Sequence, residues 1–170
     1  MIKILETERL YLREFVPKDL DALARMYSDI DVMRYIGRGE TFSREQTKKS
    51  ITSWKGYYTK HGFANWAVVR KDGDLLIGKC GFSWLPDNSD IELTYLLAKH
   101  SWGFGYAAEI AGAALEYGFS KLKLKRIAAI VYPGNTASIR VLEKLGMKFE
   151  REAFFHGAKL LLYSSQKSET

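Results

Sequence analysis

Cysteine is nearly absent: Cys80 is the only one in 170 residues. This excludes an internal disulfide and any multi-cysteine metal site, and it suits a reducing cytoplasm without demanding one. Within the strand-like "LLIGKCGFSW" it reads as an inert buried thiol, because a reactive one needs a positive, exposed setting. Proline is scarce as well, with Pro17, Pro86 and Pro133 alone, and no repeat or Pro/Gly/Ser linker divides the chain. Residues 1–170 therefore read as one continuous domain, long enough to bury most of its apolar surface. Long hydrophobic runs are missing: the apolar stretches break well before the roughly 20 residues that a bilayer span requires. The opening "MIKILETERL" has no h-region, so neither a signal peptide nor a membrane is expected, and the cytoplasm is the expected compartment. Acid is outnumbered, with Asp+Glu at 20 against Lys+Arg at 26 and a net charge of +6, which favours an anionic ligand or partner.

What is present reads as alternating elements. "ILETERLYLREF" has strand alternation, and "PKDLDALARMYSD" starts a helix at Pro17 with Leu20, Leu23, Ala24 and Tyr27 at helical spacing. "SREQTKKSITSWKGYYTKHG" is a second helix, with Ser43 and Gln46 spaced as a capping box and Gly62 as its stop. "FANWAVVR", "LLIGKCGFSWL" and "IELTYLLA", joined by turn chemistry, predict an antiparallel meander. A helix "AAEIAGAALEYGFSKL", a strand "RIAAIVY", a helix "NTASIRVLEKLG" and the strand pair "MKFEREAFF" and "KLLLYSS" follow. The order is β-α-α-β-β-β-α-β-α-β-β, a mixed, mostly antiparallel α/β sheet of six to seven strands with about four helices. Its β-α-β crossover should set "IELTYLLA" and "RIAAIVY" side by side and parallel.

Between that strand and the next helix lies "HSWGFGYAAE", His100 to Glu109. A strand, a tight glycine turn and a helix start make an anion site, because the first helical N–H groups are unpaired and the helix dipole is positive there. Gly103 and Gly105 let the main chain approach a phosphate oxygen, and Ala107 and Ala108 keep the first turn open. Gly103 to Ala108 also spells G-x-G-x-x-A, the dinucleotide fingerprint. That motif needs an acidic residue about 20 positions later, and no Asp or Glu stands between Glu116 and Glu143. The basic cluster "KLKLKR", Lys121 to Arg126, sits at a helix-to-strand junction and reads as a solvated helix end, so nucleic acid is not the expected partner.

A second segment, "YPGNTASIRVLEKLGMKFE", resembles the asparagine-containing helix of the GNAT superfamily of N-acetyltransferases through Asn135, Ser138, Glu143, Lys144, Gly146 and Met147. In that superfamily a Gln/Arg-x-x-Gly-x-Gly/Ala loop cradles the pyrophosphate of acetyl-coenzyme A. Trp102, Gly105 and Ala107 occupy its defined positions, with Trp102 replacing Gln or Arg. This loop and the opening "TERLYLREFVPKDLDALARMYSD" are similar to the ribosomal-protein alanine acetyltransferase branch.

The resemblance implies acetyl-coenzyme A as cosubstrate, with pyrophosphate on the amides of Gly103, Phe104, Gly105, Tyr106 and Ala107. The pantetheine arm would lie between "IELTYLL", ending in a bulge, and "RIAAIVY", paired with backbone near Leu96 and Leu97 and bonded to Asn135. An N–H near Leu97 would face the thioester carbonyl. Asn135 equally suits a plain helix N-cap. The reaction implied is direct attack of a primary amine on the acetyl carbon. Glu92 is the candidate base, and a carboxylate that only solvates the sheet is the alternative. The family's donor tyrosine, seven residues after the Asn, is Leu142 here, so Ser138 is the candidate replacement, with a first-turn serine satisfying the helix as the alternative. The acceptor, a protein N-terminus or a small amine, should meet about Arg34 to Phe42 and Phe154 to Lys159; a homodimer is compatible with this reading. His61, His100 and His156 read as surface residues and no metal is expected. Trp54, Trp66 and Trp84 read as core or rim packing. The competing class is an acyl-coenzyme A-binding module without turnover.

Overall fold

In the computed structural model, which describes residues 1–168, the expected opening strand folds back as two. Thr7 N and Thr7 Oγ1 both donate to the Leu10 carbonyl, and Leu10 N donates in return to Thr7 Oγ1. This tight turn separates β1 (Lys3–Glu6) from β2 (Leu10–Arg13), which pair antiparallel. After a 3₁₀ turn at Pro17 comes α1 (Leu20–Tyr27), which buries Leu23, Met26 and Tyr27. A single-turn helix, α2 (Ile30–Met33), was not expected; the Asp29 side chain caps it by accepting from Asp31 N at 2.9 Å. Four residues are too few for a period to show. The Ser43–Gln46 capping box opens α3 (Arg44–His61), and Gly62, at φ 77°, closes it.

Three antiparallel strands follow, β3 (Asn65–Arg70), β4 (Leu75–Trp84) and β5 (Ile91–Leu97). Then come α4 (Tyr106–Ser120), β6 (Arg126–Val131), α5 (Thr136–Lys144), β7 (Lys148–Phe155) and β8 (Ala158–Gln166). The described residues thus hold eight strands rather than six to seven, and five α-helices rather than about four, within the expected mixed α/β class. Sheet order is β1-β2-β3-β4-β5-β6-β8-β7, and β5 with β6 is its one parallel pair.

Because successive side chains on a strand point to opposite faces, the register assigns each residue a side. Leu93, Leu97, Cys80, Phe82, Trp66, Ile127 and Ala129 face α4 and α5 and form a continuous apolar core with Ile110, Ala114 and Leu142. On the other face are two separate clusters. One gathers Leu96, Ala67 and Val69 under α1 and α2 with Leu23, Tyr27 and Met33; the other gathers Ala128, Leu85, Phe155 and Leu162 around the last strands. Between them, on the same face, stand Asn65, Lys79, Ser83, Glu92 and Thr94.

Candidate functional site

The loop after β5 is shaped by backbone. Gly103 and Gly105 take φ of 84° and 79°, the left-handed region that a side chain disfavours, and Gly105 is the N-cap of α4 with no side-chain cap. A Cβ at Gly103 would meet nothing within 4 Å, so conformation rather than crowding requires that glycine. The first-turn amides of Tyr106 and Ala107 are left without side-chain partners at the positive end of the helix dipole. Phe104, 59% exposed, stacks on Tyr106 with centroids 5.6 Å apart.

An anchor that the motif reading missed fixes this helix start. Glu109 accepts from Thr7 Oγ1 at 2.6 Å and Arg9 N at 2.9 Å, and pairs with the Arg9 guanidinium at 2.6 Å. Burial pushes the Glu109 carboxyl up, but these bonds outweigh it and hold the group below the usual carboxylate range. Arg9 also lies over the Tyr106 ring, 4.4 Å from its centroid. The signal in the sequence is Thr7-x-Arg9, in a stretch that strand alternation and the family resemblance both cover without pointing to Glu109.

Beside the loop the sheet is open. Register between β5 and β6 holds at one pair, Glu92 with Ala128, after which the strands part. Toward Leu97, β5 stays paired with β4, while β6 stays paired with β8 to Val131. The bulge expected at the end of "IELTYLL" is not in the β4–β5 register, which runs unshifted from Trp84/Ile91 to Gly78/Leu97. Gly78 permits that close run, since a Cβ there would overlap the Leu96 carbonyl oxygen. The opening therefore comes from divergence of two parallel strands. Ala98 N donates to Ile77 O on β4 at 2.8 Å, so by alternation the Leu97 peptide groups turn toward the opening. The Leu97 carbonyl accepts from Trp102 Nε1 at 3.0 Å, and its N–H faces the gap.

Across the opening, Asn135 caps α5, its Oδ1 accepting from Ser138 N at 3.3 Å. Ser138 Oγ lies 2.7 Å from the hydroxyl of Tyr95, a residue the sequence reading did not single out. Burial pushes that phenol up to about 12, with the Ser138 bond opposing. Leu142, at the family's tyrosine position, is buried in the core.

Glu92 stands on the opposite face. Burial raises its carboxyl to about 7, against the lowering influence of the Ser83 hydroxyl, which donates at 3.2 Å, and of Lys79. Burial lowers the Lys79 ammonium to about 8, with Glu92 opposing. Lys79 Nζ sits 5.2 Å from the Trp54 ring centroid, and Trp54 packs on Phe15 at 5.1 Å. Thr94 Oγ1 donates to Asn65 Oδ1. The two segments expected to meet the acceptor lie near one another: the Tyr132 hydroxyl just after β6 donates to the Gly37 carbonyl, and burial, with Arg38 adding to it, holds His156 in the β7–β8 turn below its ordinary value.

A family described as "Acetyltransferase (GNAT) domain" matches residues 9–148. The chain belongs to the GNAT acetyltransferase family. It is 36% identical over 151 residues to "Uncharacterized N-acetyltransferase YoaA" of Bacillus subtilis (strain 168), covering 88% of this chain and 85% of that one. The crystal structure of a GNAT-family acetyltransferase from Bacillus anthracis superposes with a TM-score of 0.83 at 32% identity, covering 97% and 98% of the two chains. The fold alone is shared with two more distant structures. RimL, a ribosomal alpha-N-protein acetyltransferase in complex with coenzyme A, is 16% identical with TM-score 0.82, covering 97% and 98%. Spermidine N-acetyltransferase from Vibrio cholerae, in complex with CoA and spermine, is 18% identical with TM-score 0.77, covering 94% and 96%.

As a GNAT acetyltransferase the chain is an acyltransferase of the acetyl-coenzyme A class, and its departures from the family pattern can be described atom by atom. Trp102, in place of Gln or Arg, uses its indole N–H to tie the glycine loop to the end of β5. Arg126, from the basic cluster, is engaged by Asp90 at 3.0 Å and by Glu150, so it is not a free cation for nucleic acid. Trp66 packs in the core, while Trp84 lies at the rim with its N–H of the main chain bonded to the Tyr57 hydroxyl. Among the described residues no three His, Cys, Asp or Glu side chains gather as a metal site, and no helix is long and apolar enough to cross a membrane.

Proposed function

We propose that this protein transfers the acetyl group of acetyl-coenzyme A to a primary amine by direct attack, in the cytoplasm, and that residues 1–170 act as one catalytic domain. The observation that carries this reading is the parting of β5 from β6 directly beside the glycine loop. The amides of Gly103, Phe104, Gly105, Tyr106 and Ala107 hold the pyrophosphate at a helix start. Pantetheine lies along the end of β5 at Leu96 and Leu97, pairing with the Leu97 peptide groups that face the opening, and meets Asn135. The Leu97 N–H faces the thioester oxygen and stabilises the charge that develops there.

The two proton transfers then fall on opposite faces. An amine arrives from the Glu92 side, its nitrogen bonds to the acetyl carbon, and Glu92 receives the ammonium proton directly or through water. The carbon–sulfur bond breaks, and the thiolate leaves toward Ser138, whose hydroxyl passes it a proton and regains one through the hydrogen-bonded Tyr95 hydroxyl, with solvent water making up the balance. A base with a pKa of about 7 is matched to this work near neutral pH. The acceptor is a protein N-terminus or a small-molecule amine, the two kinds that distant structural relatives are named for. A thiol-release assay over amines and peptides tests the proposal: release that depends on an acceptor supports it, and coenzyme A binding without release from any acceptor would establish a binding module instead.

A further inference from the structure

The polar interval between the two apolar clusters on the Glu92 face contains one cation whose surroundings differ from those of its neighbours. Arg13, on β2 opposite Ala67 and thus on this same face, is fully occupied: Asp19 accepts from it at 2.6 and 2.9 Å. Lys79, also paired in register with Ala67, is half-buried, yet forms no ion pair and no side-chain hydrogen bond with any described residue. Its Nζ lies against the Trp54 ring. The other charged group on this face nearby is Glu92, four residue pairs away along β4 and β5 and bonded to Ser83. An enclosed charge with no ion pair in direct contact is costly, its nearest opposite charge being Glu92 at a distance, and such a group marks a place where a ligand supplies the missing contact.

Position fixes what that partner must be. Lys79 is directly opposite Leu96, so it flanks the very end of β5 where the strands part. Neighbouring strands are about 4.8 Å apart, which sets a cation on β4 roughly 5–10 Å from the β5–β6 opening, the span of a short amino-carboxylate. Trp54 and Phe15 roof the same side and offer apolar cover to a short carbon chain. A polycationic amine would instead bring its second charge toward Lys79, at a cost that low dielectric amplifies.

We infer that Lys79 is the anion-recognising residue of the acceptor cleft, and that the acceptor is a small amine carrying a carboxylate, not a polyamine. This rests on the acetyl transfer proposed above. The test uses the purified full chain, acetyl-coenzyme A and thiol release. Acceptors are glycine, β-alanine and γ-aminobutyrate, each beside its primary amide, with spermidine and a neutral peptide as further acceptors. At least one carboxylate should exceed its amide by tenfold or more in kcat/KM and also exceed spermidine. In Lys79→Met that ratio should fall toward one while the KM for acetyl-coenzyme A changes less than threefold; Lys79→Arg should retain part of it. The acetyl-coenzyme A KM reports folding, and a merely structural lysine would not change the ratio. Preference for amides or spermidine, or a ratio unchanged in Lys79→Met, overturns the inference alone. Silence of every carboxylate while another amine reacts does the same. Silence of the whole panel, peptide included, overturns the transfer and this inference together.

Discussion

The two faces of the central sheet are built by different means. The face under α4 and α5 is one unbroken apolar core, and the cofactor contacts proposed beside it are main chain: the glycine turn, the Leu97 amide and the start of α4. The opposite face breaks its core in two and fills the interval with side chains, Asn65, Lys79, Ser83, Glu92 and Thr94. Main-chain sites leave a motif in the sequence, because glycine conformation and helix starts constrain residue type. Side chains spread over three strands leave none, because strand pairing and register, not sequence neighbours, bring them together.

The contrast can be broken most severely at Glu92. Glu92→Gln is expected to keep the fold and coenzyme A binding and to lower turnover by about 10² to 10⁴, the usual reach of general base catalysis. In the unaltered protein kcat/KM should rise with pH through about 7, as the carboxylate loses its proton. The sign for stability is opposite. Burial raises the folded pKa above the ordinary 4.5, so the folded state holds this proton more tightly and stability falls as pH climbs from that value toward about 7. Glu92→Gln should therefore flatten the melting temperature over that window. An unchanged rate and pH profile in Glu92→Gln would assign the proton to water or another group.

Next in size is the glycine turn. At about 100 times its dissociation constant, coenzyme A should stabilise the protein by roughly 2.7 kcal/mol, and Gly105→Val should remove that shift. Gly105 sits at φ 79°, which a β-branched residue does not adopt without strain. Equal shifts with NADH and coenzyme A, or an intact shift in the variant, would move the phosphate site elsewhere.

The link between the faces is tested more gently at Ser138 and Tyr95. Ser138→Ala should depress turnover about tenfold or more with little change in melting temperature, since its side chain does not cap the helix. Tyr95→Phe should lose part of that rate and nothing further when combined with Ser138→Ala, the non-additivity expected of groups acting as a unit. Independent losses in the double variant would separate the two hydroxyls. The smallest expected effect is at Asn135: Asn135→Ala should cost about 0.5–2 kcal/mol of stability as a lost cap. If the side chain also holds pantetheine, the KM for acetyl-coenzyme A rises as well; a purely thermal effect would leave capping as its whole role.

The Ser43–Gln46 box opened α3, and Gly62 and Gly146 closed α3 and α5, where local chemistry said they would, and the parallel β5–β6 pair followed from chain order and crossover handedness. The turn at Thr7 escaped, because it is made by a hydroxyl bonding within an alternating stretch that reads as one strand. The bulge at the end of β5 was a family expectation, and the strands instead part without one.

Residue order alone was enough to settle most of the element order, the glycine turn at the start of α4 and the family, since capping, glycine conformation and hydrophobic period act over a few neighbouring residues. Folding decided what those rules cannot reach. Tyr95 and Ser138, 43 residues apart, share a hydrogen bond. Arg9 grips the first turn of a helix 100 residues away. Lys79 and Glu92 share one face of the sheet only because a register two strands wide turned both to the same side. Such meetings depend on sheet order, register and face, and these emerge when the strands pair and their apolar sides are buried together.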